Sequence, residues 1–187
     1  MSIVQGRVDL DQRSSLRHNV ETFSSDGGNS IMLEITIPGY RTLRIEHLVL
    51  DYNGTLACDG KLAEGVSERL AALSKKLKIH VLTADTFGKA QAGLRGIPCE
   101  LSILAAEDQA QAKLEYVQRL GVEGVVCMGN GRNDRLMLRE APLGITVVME
   151  EGAAMETLNA ADLVCTGICA ALDLLLNPLR LVATLRS

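Results

Sequence analysis

Residues 48–57 read LVLDYNGTLA. Leu48-Val49-Leu50 is a short aliphatic run of the kind that fills a strand buried on both faces. It stops at a carboxylate, Asp51, and a turn pair follows, Asn53-Gly54. The stretch therefore reads as a strand that delivers an acid to a loop. Taken alone, Asn53-Gly54 is also the strongest two-residue hairpin signal. Asp51 alone could equally cap a helix or sit in solvent. What decides between these readings is what the rest of the chain places beside Asp51.

Working outward, strands are predicted at Met32–Ile37, Thr42–Leu50, Ile79–Leu82, Leu101–Leu104, Gly124–Met128, Gly144–Val148 and Asp162–Cys165. The first two flank Pro38-Gly39 and read as an antiparallel hairpin at a sheet edge. The others are short and aliphatic, and helical segments separate them: Glu64–Lys76, Phe87–Leu94, Glu107–Leu120, Asp134–Glu140, Ala153–Asn159 and Cys169–Leu176. In Glu107–Leu120, apolar residues recur at Ala110, Leu114, Val117 and Leu120, a helical spacing, and Gly121 is a plausible stop. The alternation predicts an α/β fold, a doubly wound, Rossmann-like parallel sheet with helices on both faces. Residues 31–187 form its single domain. Residues 1–30 are polar and end in SSDGGNS, a linker composition, so they read as a flexible tail with a short helix around Asp11 to Thr22.

Composition narrows the function classes. The chain has 187 residues, 47% hydrophobic but only 3% aromatic, so the core must be aliphatic. A formal net charge of -4 gives no basic surface for nucleic acid. No apolar run approaches the ~20 residues that span a bilayer, and the N-terminus lacks a signal-type apolar stretch, so a cytoplasmic protein without a membrane partner is expected. The five cysteines form no Cys-x-x-Cys pair and read as reduced thiols. Cys165 and Cys169 are four apart, but Gly167 between them argues against a shared metal.

In doubly wound sheets, ligands bind beyond the carboxyl ends of the strands. The residues there are Asp51-Tyr52-Asn53-Gly54-Thr55, Thr83-Ala84-Asp85, and Gly129-Asn130-Gly131-Arg132-Asn133-Asp134, with Lys113 on the helix between the last two. Asp51 and Asp134 are hard oxygen ligands of the kind Mg²⁺ takes. Lys113 and the Thr83 hydroxyl suit phosphate oxygens, and Gly54 frees backbone amides to face an anion. Each has a plainer reading: a helical lysine is usually solvated, and Thr83 or Asp85 could cap a helix. Their joint occurrence at successive strand ends favours a site.

In this order the motifs resemble those of the haloacid dehalogenase superfamily of phosphotransferases: Asp-x-Asp-Gly-Thr after a strand, then Thr or Ser after a strand, a Lys, and an acidic loop. The nearest likeness is to the phosphorylation domain of P-type ATPases, with its Asp-Lys-Thr-Gly-Thr, Thr-Gly-Asp and Gly-Asp-Gly-x-Asn-Asp. It covers about residues 44–176. The resemblance implies that Asp51 is a nucleophile that becomes an aspartyl phosphate. It implies Mg²⁺ held by Asp51, the Asn53 carbonyl and Asp134, with Asn130 nearby. Thr83 and Lys113 would bind the phosphoryl group, with Tyr52 and Ala84 in the same phosphate-binding set. Gly54, Thr55, Asp85 and Asn133 would support the loops. With no membrane-spanning run, it implies no ion transport by this chain alone.

Two departures from the family pattern matter. Asn53 stands where ordinary phosphatases of the family have the acid that protonates the leaving group and activates water. An amide cannot do that, so slow dephosphorylation is expected. Asn130 replaces an acid of the pump-like loop, which should weaken Mg²⁺ binding. Both are Asn-Gly pairs prone to deamidation, which would restore acids. The intervals from Asp51 to Thr83 and on to Lys113 leave no room for a cap domain. The site should be open, to a macromolecular phosphoester or to a small substrate enclosed by another subunit of a homo-oligomer. The alternative to an enzyme is a regulatory module, either a phosphoaspartate switch or a partner-binding pseudo-enzyme.

Overall fold

The structure is a computed structural model that describes residues 31–85, 88–105 and 107–187. The N-terminal tail and its short helix, residues 1–30, lie outside the described residues, as does Phe87 of a predicted helix.

In chain order, β1 (Leu33–Ile37), β2 (Arg41–Ile45) and β3 (His47–Asp51) lead to a two-residue-stranded hairpin, β4 (Ala57–Cys58) and β5 (Lys61–Leu62). There follow α1 (Val66–Leu73), β6 (Lys78–Thr83), α2 (Lys89–Gly93), β7 (Glu100–Ile103), α3 (Gln109–Leu120), β8 (Val125–Gly129), α4 (Arg135–Glu140), β9 (Leu143–Val147), α5 (Met155–Leu158), β10 (Leu163–Cys165), α6 (Ile168–Leu176) and α7 (Pro178–Leu185). Six strands make one wholly parallel sheet in the order β10-β9-β8-β3-β6-β7. From β3 the chain winds outward through β6 and β7, then returns to the other side of β3 for β8, β9 and β10. The β3/β8 boundary is thus the topological switch point, where such sheets bind ligands.

The β3 alternation explains why the sheet is covered on both faces. Leu48 and Leu50 join the core under α1 and α6, while Val49 points to the opposite core with Val117 of α3 and Leu138 of α4. Leu48, Val49 and Leu50 are all fully buried, each worth about 1.5–3 kcal/mol relative to exposure. Behind the β3–β6 pair a polar chain runs through the second core. His47 Nδ1 meets His80 Nε2 at 2.9 Å, and His80 Nδ1 meets the Tyr116 hydroxyl of α3 at 3.0 Å.

Two expectations need correction, and a third feature was missed. The long strand predicted over Thr42–Leu50 is two strands. Glu46 interrupts it, its N–H donating to Gly124 O (2.9 Å) and its carbonyl accepting from Lys78 N–H (2.9 Å). The β1–β2 hairpin is therefore a separate two-stranded sheet rather than an edge of the main one, and its apolar face joins the α1/α6 core. The third is the β4–β5 hairpin, which hydrophobic periodicity missed because each strand is only two residues long. Its turn, Asp59-Gly60, has both residues at positive φ (52° and 75°).

The aliphatic C-terminal stretch packs on the sheet: Leu172 and Leu175 of α6 and Leu181 of α7 are fully buried in the core. Among the described residues no single helix is long and apolar enough to cross a membrane. α6 and α7 reach that composition only as a pair bent by 101°. Among the described residues there is no cap domain: β4, β5 and α1 fill the interval before β6, and α2 and β7 fill most of that before α3.

Candidate active site

Asp51 is the last residue of β3, and β6 alongside it ends at Thr83, one residue beyond the register partner of Asp51. The loop after β8 brings in Asp134. Lys113 reaches the same point from α3, whose buried stripe is Ala110, Lys113, Tyr116 and Val117. A lysine in that stripe is 1% exposed and must be paired. It is paired twice: Lys113 Nζ lies 2.5 Å from Asp51 Oδ1 and 2.6 Å from Asp134 Oδ1. Burial opposes the charge on Lys113, but the two carboxylates outweigh it and hold the ammonium above its ordinary pKa. Burial, and then the neighbouring Asp134, pushes the Asp51 carboxyl up to about 7, against the pull of Lys113 and Thr55.

The second oxygen of Asp134 is held by backbone. Asp134 Oδ2 accepts N–H bonds from Asn130 (2.9 Å) and Gly131 (2.8 Å). Gly129 is required here, since a Cβ on it would run into the Asp134 side chain. α5 fixes the loop from outside: Thr157 Oγ1 donates to Gly131 O (2.6 Å), and Ala154 N–H donates to Asn130 O (2.9 Å).

Asn130 is spoken for. Its Oδ1 accepts from Thr55 Oγ1 (3.1 Å), and its Nδ2 donates to Gly152 O (3.0 Å). The side chain is a tie between the loop after β3 and the segment before α5. Gly54, at φ +76°, packs against that amide with no room for a Cβ. Asn133 Nδ2 donates to Gln109 Oε1 (2.7 Å), fastening the same loop to α3.

The remaining predicted residues divide. Thr83 is buried, and its hydroxyl accepts from Asp85 N–H (3.1 Å), which leaves its own proton to donate. Asp85 Oδ1 accepts from Ala90 N–H (3.0 Å) at the start of α2, and its Oδ2 is buried with no partner among the described residues. Tyr52 departs from the predicted set. Its side chain is fully buried, with the hydroxyl donating to Gly60 O (3.3 Å) at the β4–β5 turn. Only its backbone remains near Asp51. Asn53 is exposed. It lines a cleft of about 290 Å³ with Asp59, Gly60, Ala84, Asp85, Lys89 and Glu151. Asp59, Lys89 and Glu151 were missed from sequence; the Asp59-Gly60 turn signal was the available clue.

The donor set suits a hard divalent cation: two carboxylates converging on one nitrogen, beside the Asn53 backbone, with hydroxyl and amide groups around them.

No protein-family model matches the chain. It is 46% identical over 79 residues to the uncharacterized protein MJ0073 of Methanocaldococcus jannaschii, 40% of this chain and 85% of that protein. It is 54% identical over 39 residues to the uncharacterized protein MJ0072 of the same organism, 21% of this chain and 89% of that one. Among solved structures, the 3-deoxy-D-manno-octulosonate 8-phosphate phosphatase of Moraxella catarrhalis, in complex with magnesium, phosphate and KDO, superposes at TM-score 0.59. It is 17% identical, with 76% of this chain and 94% of that one covered. The cobalt-bound phosphatase of Haemophilus influenzae gives 0.60, 13% identity and the same coverages. A protein of Streptomyces avermitilis described as a HAD family hydrolase gives 0.56, 22% identity, and 75% and 86%. The chain belongs with MJ0073 and has the haloacid dehalogenase fold. On that fold, Asp51, Thr83, Lys113 and Asp134 stand together at the switch point.

Proposed function

We propose that this haloacid dehalogenase-fold chain is a Mg²⁺-dependent phosphatase or phosphotransferase that works through an aspartyl phosphate on Asp51. The observation that carries this is Lys113 Nζ bridging Asp51 and Asp134 at 2.5 and 2.6 Å, buried at the switch point of a parallel sheet. A buried ammonium between two acids is a costly arrangement. It is useful where an anion must be held against a carboxylate.

Asp51 attacks the phosphoryl group and forms the covalent intermediate. Lys113 and the Thr83 hydroxyl hold phosphoryl oxygens, with the loop backbone around Gly54 and Ala84 beside them. Asp51, Asp134 and the Asn53 carbonyl would hold Mg²⁺, which supplies charge to neutralise the phosphoryl oxygens and keep Asp51 ionised. Asn130 acts on this site through Thr55 and Gly152. Asn53 can hydrogen-bond a leaving group or a water but can neither protonate the one nor deprotonate the other, and without a base to activate water the release of phosphate from Asp51 is slow. The likeness to P-type ATPase phosphorylation domains fits that durability. The resemblance to magnesium-bound phosphatase structures supports Mg²⁺ as the cation.

The test is Mg²⁺-dependent hydrolysis of an aryl phosphate by the purified chain and by Asp51→Asn. The proposal expects turnover that the substitution abolishes. A second reading, a regulatory phosphoaspartate module, is favoured by the exposed amide of Asn53 and wins if Asp51 is phosphorylated without turnover.

A further inference from the structure

The three elements that carry Asp51, Thr83 and Lys113 are tied together a second time, away from the carboxylates. His47 lies on β3 four residues before Asp51, His80 on β6 three before Thr83, and Tyr116 on α3 three after Lys113, on the same buried stripe. Their side chains form one line. His47 Nδ1 meets His80 Nε2 at 2.9 Å, His80 Nδ1 meets the Tyr116 hydroxyl at 3.0 Å, and that hydroxyl donates to Glu100 Oε1 of β7 at 3.2 Å. His80 is 4% exposed and Tyr116 8%. His47 is half-buried, and the Glu100 carboxylate reaches solvent.

The protons of this line can be counted. The Glu100 carboxylate only accepts, so the Tyr116 proton goes to it. The Tyr116 oxygen then accepts, from Ser102 Oγ (3.3 Å) and from His80 Nδ1, which must carry a proton. Neutral His80 therefore has a bare Nε2, and its bond to His47 needs the proton on His47 Nδ1. The one ring nitrogen left bare is His47 Nε2. A first proton enters there and keeps every bond. A second has only His80 Nε2 to enter, where two N–H groups would face each other across 2.9 Å. The charged groups around the rings are mixed. Glu46 before β3 and Glu100 on β7 favour a charge on His47, and Lys78 on β6 opposes it. Arg119 of α3 lies over the Tyr116 ring at 5.3 Å. Burial, then the neighbouring His47, holds His80 below its ordinary pKa, with Glu100 pulling the other way and Lys78 adding to the fall.

We infer that His80 is a positioning residue kept as a neutral base: through Tyr116 it seats α3 so that Lys113 stands between Asp51 and Asp134, and a second proton on the His47–His80 pair unseats it. The seating of Lys113 belongs to the fold, so this acid switch operates whether or not Asp51 is phosphorylated.

The experiment is NMR of the full chain, following the ring nitrogens of His47 and His80 and the Lys113 ammonium from about pH 8 to 5. In the parent, His47 should titrate alone while His80 keeps its Nδ1–H, and the Lys113 signal should move only where a second proton enters. In His47→Gln the amide can turn its oxygen to a new N–H on His80. There His80 should titrate at least about one pH unit higher than in the parent, with Lys113 unmoved. Tyr116→Phe keeps the ring in the core and cuts the line, so the Lys113 signal should be displaced already at neutral pH. Where acid unfolds the parent first, linkage gives the same reading. Unfolded His80 takes a proton below about pH 6.5 that the folded parent refuses, so parent stability falls with pH. Relative to His47→Gln, the parent's folding constant should drop by about tenfold per pH unit. Both rings of the parent charging with Lys113 unmoved overturns the inference. So does a Tyr116→Phe signal for Lys113 that coincides with the parent's, or a stability difference from His47→Gln that does not change with pH.

Discussion

The two Asn-Gly turns of this chain look alike in sequence and differ in burial and in the bonding of the asparagine side chain. Asn53-Gly54 sits on the rim of the cleft, and Asn53 is exposed with no described residue bonding its side chain. Asn130-Gly131 lies beneath it, and Asn130 is 7% exposed with both polar atoms of its amide bonded. Both replace acids of the family pattern. On the rim, in the chemistry proposed for Asp51, an amide withholds a proton transfer. Inside, an amide makes a bond that an acid could not make, since Gly152 O needs a donor. The same substitution thus belongs to chemistry in one place and to construction in the other.

The largest expected effect breaks the comparison on the catalytic side. Asn53→Asp should raise turnover of the aryl phosphate by about 10²-fold or more, because it restores the missing general acid–base. Unchanged melting would accompany it, as the side chain has no packing role. Flat turnover in a folded variant would remove the role given to Asn53.

Asn130→Asp should do the opposite. It sets a carboxylate against Gly152 O and adds a third acid beside Asp51 and Asp134, so stability should fall by about 1–3 kcal/mol. Thermal denaturation with and without Mg²⁺ reads this. A variant as stable as the parent, with tighter Mg²⁺ binding, would make Asn130 a simple missing ligand instead of a tie.

A smaller effect sharpens the contrast. Deamidation needs the following glycine nitrogen to attack the amide carbonyl. Gly54 N–H is bonded to Ala57 O at 2.7 Å, and Gly131 N–H to Asp134 Oδ2 at 2.8 Å, so both turns resist. Only Asn130 also has its side chain locked. On ageing of the folded protein, peptide mass spectrometry should find Asn53 converting first and Asn130 only as fast as the core opens. Equal rates would say the inner turn is as loose as the outer.

Much of this was legible in the chain. Leu48-Val49-Leu50 announced a strand buried on two faces because a parallel strand has no polar face to reveal. Asp51, Thr83, Lys113 and Asp134 were legible as a set because the strand ends of such a sheet converge, whatever the loops do. Lys113 could have been singled out more firmly, since it falls three after Ala110 and four before Val117, on the buried stripe. The break at Glu46 is marked in the sequence only by two successive polar residues, Glu46-His47, where the alternation of Thr42–Glu46 gives way to a continuous apolar run, and it is the bonds to Gly124 and Lys78 that divide the two sheets. Nothing local marks Tyr52 as a strut for a turn eight residues on, or Asn130 as a tie to Thr55 and Gly152. Those roles depend on contacts distant in sequence, which periodicity does not encode.

The central claim is that this site takes a phosphoryl group onto Asp51 faster than it gives it up. Pre-steady-state mixing of the Mg²⁺-loaded chain with excess aryl phosphate tests it directly. The account predicts a burst of the aryl alcohol close to one equivalent per site, then a slow steady phase, with acid-quenched phosphate mapped to Asp51. A linear trace with no burst and no phosphate on Asp51 would contradict it.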